Sequence, residues 1–209
     1  MYAGVDGCRK GWVALLLPEQ RLIEGCTTFA EVLGRLPAGT AVGVDMPIRP
    51  PEHGERACDI AAKVALGPFR SSLFMTPTRA ALECPTQAQA SRINRNLGGK
   101  GVSAQAFALR AKIAEVAAAR RDGVIEVHPE LTFRILGPVT FPKKSWAGMR
   151  ERLAVLQKSG LDPLRWESTG WAAADDTLDA AAAALSAQRY AQGRARPFPG
   201  DGRGPRIWA

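Results

Sequence analysis

The sequence predicts an α/β domain: a mixed sheet in which a three-stranded antiparallel meander joins parallel strands, flanked by helices and interrupted by a helical insertion. Three observations predict it. Three short apolar runs stand before Thr28, separated only by turn-like segments. A capped helical pattern then leads to a fourth run, Thr40 to Asp45, which is apolar throughout. From about Gly54 to Gly123 the strand pattern gives way to Ala, Arg and Gln with helical periodicity.

The elements follow in order. Tyr2-Ala3-Gly4-Val5-Asp6 is a short buried strand that ends in an acid. Gly11 to Leu17 is a second strand and Arg21 to Thr27 a third, with the turn-like Pro18-Glu19-Gln20 between them. Connections this short make neighbouring strands antiparallel. Thr28 followed three residues later by Glu31 has the form of a capping box, opening a helix through Val32, Leu33 and Leu36 that Pro37 breaks. Thr40 to Asp45 is too short for a helix and reads as a fully buried strand. Reached by a helical crossover, it runs parallel to the first, and it too ends in an aspartate.

Residues 54–123 form the helical insertion, with its clearest helix from Ala106 to Val116. Val124 to His128 resumes the strand pattern and Pro129 stops it. Met149 to Lys158 is amphipathic, with Leu153, Val155 and Leu156 on or near one face. The last helix runs from Asp175 to about Gln192, where Leu178, Ala181, Ala182 and Leu185 make a close-packing apolar face and Gly193 offers a C-cap. Residues 194–209, rich in Gly, Pro and Arg, form an ordered or fraying tail. The chain therefore reads as a single domain over 1–209 with one insertion and no internal repeat.

Composition narrows the function classes. Of 209 residues, 46% are hydrophobic and 23% charged, which excludes a disordered polyelectrolyte. No apolar stretch approaches the ~20 residues that cross a bilayer. Asp6, Arg9 and Lys10 near the start do not fit the plan of a signal peptide, so a cytoplasmic protein with no membrane partner is expected. Cys8, Cys26, Cys58 and Cys84 are scattered, without zinc spacing, and read as reduced thiols. The net charge of +8 favours a nucleic acid, nucleotide or other phosphate-bearing partner, although proteins that bind none also carry such a charge.

The carboxylates carry the chemistry. If the two aspartate-ended strands are parallel neighbours about 4.8 Å apart, Asp6 and Asp45 leave the same sheet edge. Two carboxylates so placed repel unless a proton or cation separates them. Mg²⁺ or Mn²⁺ suits oxygen ligands, and the lack of a His/Cys cluster argues against zinc or iron. Asp176 and Asp179 lie three apart, on one face of the last helix. Asp179 stands among Leu178 and alanines, where an unpaired charge is costly. Each acid alone also has an ordinary reading, as a turn, cap or surface charge. Together they point to a metal or phosphoryl-transfer site.

Gly4-Val5-Asp6-Gly7-Cys8-Arg9-Lys10-Gly11-Trp12-Val13, Val44-Asp45-Met46-Pro47-Ile48, Arg56-Ala57-Cys58-Asp59, Gly99 to Gln105, Lys112 to Val116, Glu126-Val127-His128-Pro129-Glu130 and Asp176-Thr177-Leu178-Asp179-Ala180 together resemble the DUF429 family. The resemblance runs from Tyr2 to about Gly193. It implies a ribonuclease H-like fold and a predicted nuclease. The Asp-x-x-Asp-Ala motif is similar to that of RuvC-type junction resolvases, which implies Asp6, Asp45, Asp176 and Asp179 as ligands of two Mg²⁺ or Mn²⁺ ions. The reaction so implied is two-metal phosphodiester hydrolysis.

Other residues extend the candidate site. Glu126, His128 and Glu130 alternate around the fifth strand end, so an extended chain presents all three to one side. Glu126 and His128 are catalytic candidates, His128 as a general acid or phosphate ligand; the alternative is a Glu126–arginine pair and an ordinary strand-end histidine. Arg56, Arg70, Arg79, Lys100, Gln105 and Lys112 are candidate substrate-binding residues in the insertion, and singly they also read as solvated surface. Gly98 to Gly101 lacks the spacing of a P-loop. Lys143 and Lys144 read as either phosphate-binding or surface. The five tryptophans do not interleave with basic residues, and core packing is expected for most.

Two functions remain open: a metal-dependent nuclease or phosphodiesterase, and a nucleotide-, phosphate- or nucleic-acid-binding module with little or no turnover. A sugar kinase or actin-like ATPase needs two such domains and a longer chain. The substrate form and the oligomeric state are open. Most of the positive surplus falls in residues 54–123, at +6 against −1 before and +3 after, which predicts salt-sensitive binding of a phosphate-bearing ligand.

Overall fold

The structure is a computed structural model that describes residues 1–119, 121–201 and 204–209. The parts of the expected insertion and tail at positions 120, 202 and 203 lie outside the described residues. In chain order the elements are β1 (Tyr2–Cys8), β2 (Gly11–Leu17), β3 (Arg21–Cys26), α1 (Phe29–Arg35) and β4 (Ala41–Val44). Then come α2 (Ala57–Leu66), α3 (Arg79–Leu82), α4 (Gln87–Asn96), α5 (Ala104–Ala108) and α6 (Arg110–Ala118). They are followed by β5 (Val124–Glu126), α7 (Pro129–Leu136), α8 (Trp146–Lys158) and α9 (Ala174–Ala191), and last by a two-stranded ribbon of β6 (Pro197–Phe198) and β7 (Ile207–Trp208).

Contacts group the chain into two units. One comprises Met1–Met46, Arg121–Arg196 and Trp208–Ala209. The other comprises Pro47–Arg120 and Pro197–Ile207. The first unit holds a five-stranded mixed sheet of order β3-β2-β1-β4-β5, an arrangement consistent with a ribonuclease H-like fold. β1, β2 and β3 are antiparallel, and β1, β4 and β5 parallel. The meander follows from its turns: Cys8 pairs with Gly11 across only Arg9 and Lys10, so β2 has no choice but to return along β1. β1 consequently runs two residues beyond Asp6 and does not end there.

Strand alternation assigns the faces. Leu15 and Leu17 point to the side covered by α7, α8 and α9, packing with Phe133, Leu156, Ala181 and Leu185. Trp12 points to the other side, against Phe29 of α1, with ring centroids 5.2 Å apart. Both aromatics are fully buried, each such burial being worth about 1.5 to 3 kcal/mol. α1 starts where its sequence says it should: the Thr28 hydroxyl accepts the Glu31 amide, and the Glu31 carboxylate takes the Thr27 amide and hydroxyl. Trp12 is fully buried, and Trp166 and Trp208 are partly buried against core clusters, in line with core packing for most of the tryptophans; Trp146 is the exception at 73% exposed.

α7 is the element that the sequence reading missed. Pro129 does not merely stop the strand: it opens the helix, at the first position, where its missing amide costs nothing. α8 begins at Trp146 rather than Met149, because Ser145 caps it by accepting the Gly148 amide. The tail is ordered at its ends, with Ala209 and Arg196 exchanging two backbone hydrogen bonds and Trp208 bridging to Val127.

α9 lies directly on the centre of the sheet. A Cβ added to Gly4 would stand 2.0 Å from the Ala180 carbonyl oxygen and the Ala184 nitrogen, and one added to Gly43 would stand 2.6 Å from the Ala183 carbonyl oxygen. Glycine on the strands and alanine on the helix therefore allow backbone to rest on backbone.

In the second unit, Ala81, Ala90, Val102 and Ala106 form the core among α3, α4 and α5. Asn94 organises its glycine loop, accepting the Thr78 amide and donating to the Lys100 carbonyl. Among the described residues no helix is long and apolar enough to cross a membrane.

The close contact makes opposite predictions for two glycines. Gly4→Ala must push α9 away and should cost about 1 to 3 kcal/mol in urea unfolding. Gly34→Ala, in α1 with open space around its Cβ position, should stabilise by roughly 0.5 to 1 kcal/mol. Equal effects at the two positions would refute the packing argument.

Candidate metal centre

Two residues beyond each glycine that faces α9, the chain carries an aspartate. Because strand side chains alternate, Asp6 after Gly4 and Asp45 after Gly43 emerge on the α9 side. The register makes them neighbours: Val5 pairs with Val44, and the Asp45 amide donates to the Val5 carbonyl at 2.9 Å. Asp6 is 8% exposed, and its Oδ1 accepts the Gly7 amide at 2.7 Å. α9 brings Asp179, one residue before the Ala180 whose carbonyl oxygen lies over Gly4. Asp179 is 2% exposed, and its Oδ1 is buried with no hydrogen-bond partner among the described residues. Asp176, three residues earlier on α9, is half-buried and accepts the Ala173 amide at 3.2 Å, so it also closes the first turn of the helix.

The electrostatics follow from burial and crowding. Burial first, and then the charges of Asp45, Asp179 and Asp176, push the Asp6 carboxyl well above the usual range. Burial and then Asp179 push Asp45 up to about 8, with Glu126 and Glu130 adding to the shift. Burial pushes Asp179 up to about 6, against the opposing pull of Lys143. Asp176 is raised, chiefly by burial. Two buried carboxylates and the partly buried Asp45 thus share a corner in which ionisation of all three is costly without a cation. Their oxygens do not form a preformed cage with all ligand atoms within 4.8 Å of one another.

A cation seated directly on these acids is Lys143, which reads in the sequence as either phosphate-binding or surface. Its Nζ donates to Asp179 Oδ2 at 2.5 Å and lies 3.8 Å from Asp175. Burial lowers its pKa, but Asp179, Asp45 and Asp6 outweigh that and hold the ammonium above its ordinary range. No local sequence pattern reveals this contact, since Lys143 and Asp179 are far apart in the chain.

Glu130 is near enough for its charge to raise Asp45 and Asp179, but not as one of three alternating residues on an extended chain. It sits in the first turn of α7, and its carboxylate takes both the Nε and an Nη of Arg152, at 2.9 and 2.6 Å. This fork is buried, with Arg152 1% exposed. Glu126 and His128 also depart from the expectation. Ile125 pairs with Gly43, and Ile125 and Val127 pack on Ala183, so Glu126 between them leaves the sheet on the face away from α9. By the same alternation His128 follows Glu126, and its carbonyl accepts the Leu131 and Thr132 amides as α7 begins. Asp45 still feels the Glu126 charge.

In the second unit the basic candidates have local roles. Arg56 is buried and forks onto Asp59, which also accepts the Thr76 amide. Arg79 pairs with Glu52 at 2.8 Å and Lys100 with Glu55 at 3.3 Å. Arg70 is exposed, and its carbonyl accepts Lys63 Nζ. Gln105 is exposed on α5, and Lys112 is partly exposed on α6.

A family model described as "Protein of unknown function (DUF429)" matches residues 4–203, and the chain belongs to that family. No curated protein and no solved structure matches it.

Two predictions follow from these charges. Arg152→Met strands the buried Glu130 carboxylate and should cost about 3 to 5 kcal/mol in urea unfolding, most of it recovered when Glu130→Leu is added. The second concerns pH. A carboxyl with a raised folded pKa favours the fold while protonated. That contribution is full below the ordinary aspartate value of about 3.9 and is lost as pH rises through about 8 for Asp45. Without divalent metal, Asp45→Asn should therefore gain on wild type between about pH 5 and about pH 8, by more than about 1 kcal/mol. A difference independent of pH would contradict this account.

Proposed function

We propose that this DUF429 chain is a metal-dependent nuclease or phosphodiesterase acting in the cytoplasm on a nucleic-acid or nucleotide phosphodiester. One observation carries the reading: Asp179 offers a buried oxygen with no hydrogen-bond partner among the described residues beside Asp6 and Asp45, all three carboxyls being held above their usual range. A binding module for phosphate has no use for such a concentration of negative charge. Among the described residues the cysteines form no disulfide, which suits a reducing compartment.

The donor set fits a hard cation. Asp6, Asp45 and Asp179 supply only carboxylate oxygen, and they would hold Mg²⁺ or Mn²⁺, with Asp176 at the exposed rim. Bound there, the ions would supply Lewis-acid polarisation of a phosphoryl oxygen and a nucleophilic hydroxide near neutral pH. The chain supplies geometry. The β1–β4 register fixes the spacing of Asp6 and Asp45, and α9 holds Asp179 without freedom to withdraw, because its backbone rests on Gly4 and Gly43. Placement of this kind lowers the reorganisation needed when charge develops on the phosphate.

Mn²⁺ or Mg²⁺ at millimolar concentration should raise the thermal stability of the wild type, and Asp179→Asn should abolish the rise. In a panel of single strands, duplexes, RNA–DNA hybrids, junctions and small nucleotides, wild type should cleave at least one substrate. Asp6→Asn should lose about a hundredfold or more of that activity. A metal-dependent stabilisation without cleavage of any substrate would favour the nucleotide- or phosphate-binding alternative. Equal cleavage by wild type and Asp6→Asn would place the activity outside this site.

A further inference from the structure

We propose that Lys143 is the resident counter-cation of the acidic centre, a positioning residue whose ammonium holds Asp179 until a divalent ion displaces it. The inference rests on the metal reading above and adds to it the residue that sets how tightly the metal binds.

The Asp179 carboxylate is divided. Oδ2 accepts Lys143 Nζ at 2.5 Å, whereas Oδ1 is buried with no hydrogen-bond partner among the described residues. A divalent ion taken up at Oδ1 would therefore meet an ammonium on the other oxygen of the same carboxylate. Like charges that close repel strongly in a partly buried site, so the ion and the ammonium compete for Asp179. Lys143 is able to yield. Its side chain is 32% exposed, against 3% for Asp179, and its flexible stem can carry the ammonium to solvent while the aspartate stays fixed.

The loop that carries Lys143 is built to hold it there. The Glu151 carboxylate takes the Thr140 and Phe141 amides, at 2.9 and 3.0 Å. The Phe141 carbonyl accepts Arg152 Nη1 at 3.1 Å, and Arg152 is itself forked onto Glu130. The Pro142 carbonyl accepts the Ser145 amide and hydroxyl, and it lies where a Cβ on Gly148 would stand, 2.0 Å from that position. Every residue from 140 to 142 is tied down immediately before Lys143. A solvated surface lysine needs none of this.

Competition has a thermodynamic consequence that a purely structural ion pair lacks. Removing the ammonium should weaken the metal-free fold and tighten the metal, because the two cations share one carboxylate. The test is Mn²⁺ titration by calorimetry, with thermal melts in the presence and absence of Mn²⁺, on the full chain at fixed neutral pH and ionic strength. Lys143→Met should bind Mn²⁺ about tenfold more tightly than wild type and melt lower without metal. Lys143→Gln, a second neutral replacement, should do the same. Lys143→Arg keeps the charge and should stay near wild-type affinity. Lys144→Met removes a charge from the exposed neighbour and should change affinity by less than about twofold. If wild type binds Mn²⁺ and both neutral variants bind it no better, the proposal is overturned and the metal reading stands. If no form of the protein binds Mn²⁺, both fall.

Discussion

The fit of α9 onto β1 and β4 is the constraint on which the rest of the first unit depends. A helix normally meets a sheet through side chains. Here, glycine on the strands and an alanine run on the helix let carbonyl and amide groups of α9 approach where a Cβ would otherwise stand. The acids are placed by that contact. Asp6 and Asp45 lie two residues past the glycines, and Asp179 lies one residue before the first alanine touching them. Moving any of the three would require moving the backbone contact that also closes the core.

This arrangement trades stability for charge density. Burial and mutual repulsion raise Asp6, Asp45 and Asp179 together, and a fold under selection for stability alone would place neutral residues there. The cost is offset locally. Lys143 neutralises one member, and the buried Glu130–Arg152 fork ties α7 to α8 and to the loop that carries Lys143. A paired charge in the interior contributes little net stability but is expensive to break. Its place beside the acids fits a role in holding geometry.

Much of this was legible in the sequence because it follows from period and turn chemistry. Two strands of opposite neighbours ending near aspartates, a crossover helix capped by Thr28, and acids three apart on an alanine-rich helix are local patterns, and they place Asp6, Asp45 and Asp179 on related elements. The misses have physical causes too. Pro129 reads equally as the end of a strand and the start of a helix, so the sequence does not reveal α7, and the strand period it suggests for Glu130 is the wrong one. Glu126 has the right spacing but the wrong parity, which only the β4–β5 register reveals. Lys143 reaches Asp179 across 36 residues through a loop fixed by Glu151 and Arg152, and no window of sequence contains that relation.

The α9 contact also has a consequence in time. The meander closes through turns of two or three residues, as soon as those residues exist. The acidic corner waits far longer, since Asp6 and Asp179 are 173 positions apart. During synthesis, Asp6 and Asp45 leave the ribosome on a sheet with one face bare, and neither their helical partner nor their counter-ion has yet been made. Contacts of such long range are slow to form. The centre therefore cannot assemble before α9 has been made, and a chain released before α9 would carry the residues of the meander and no site at all.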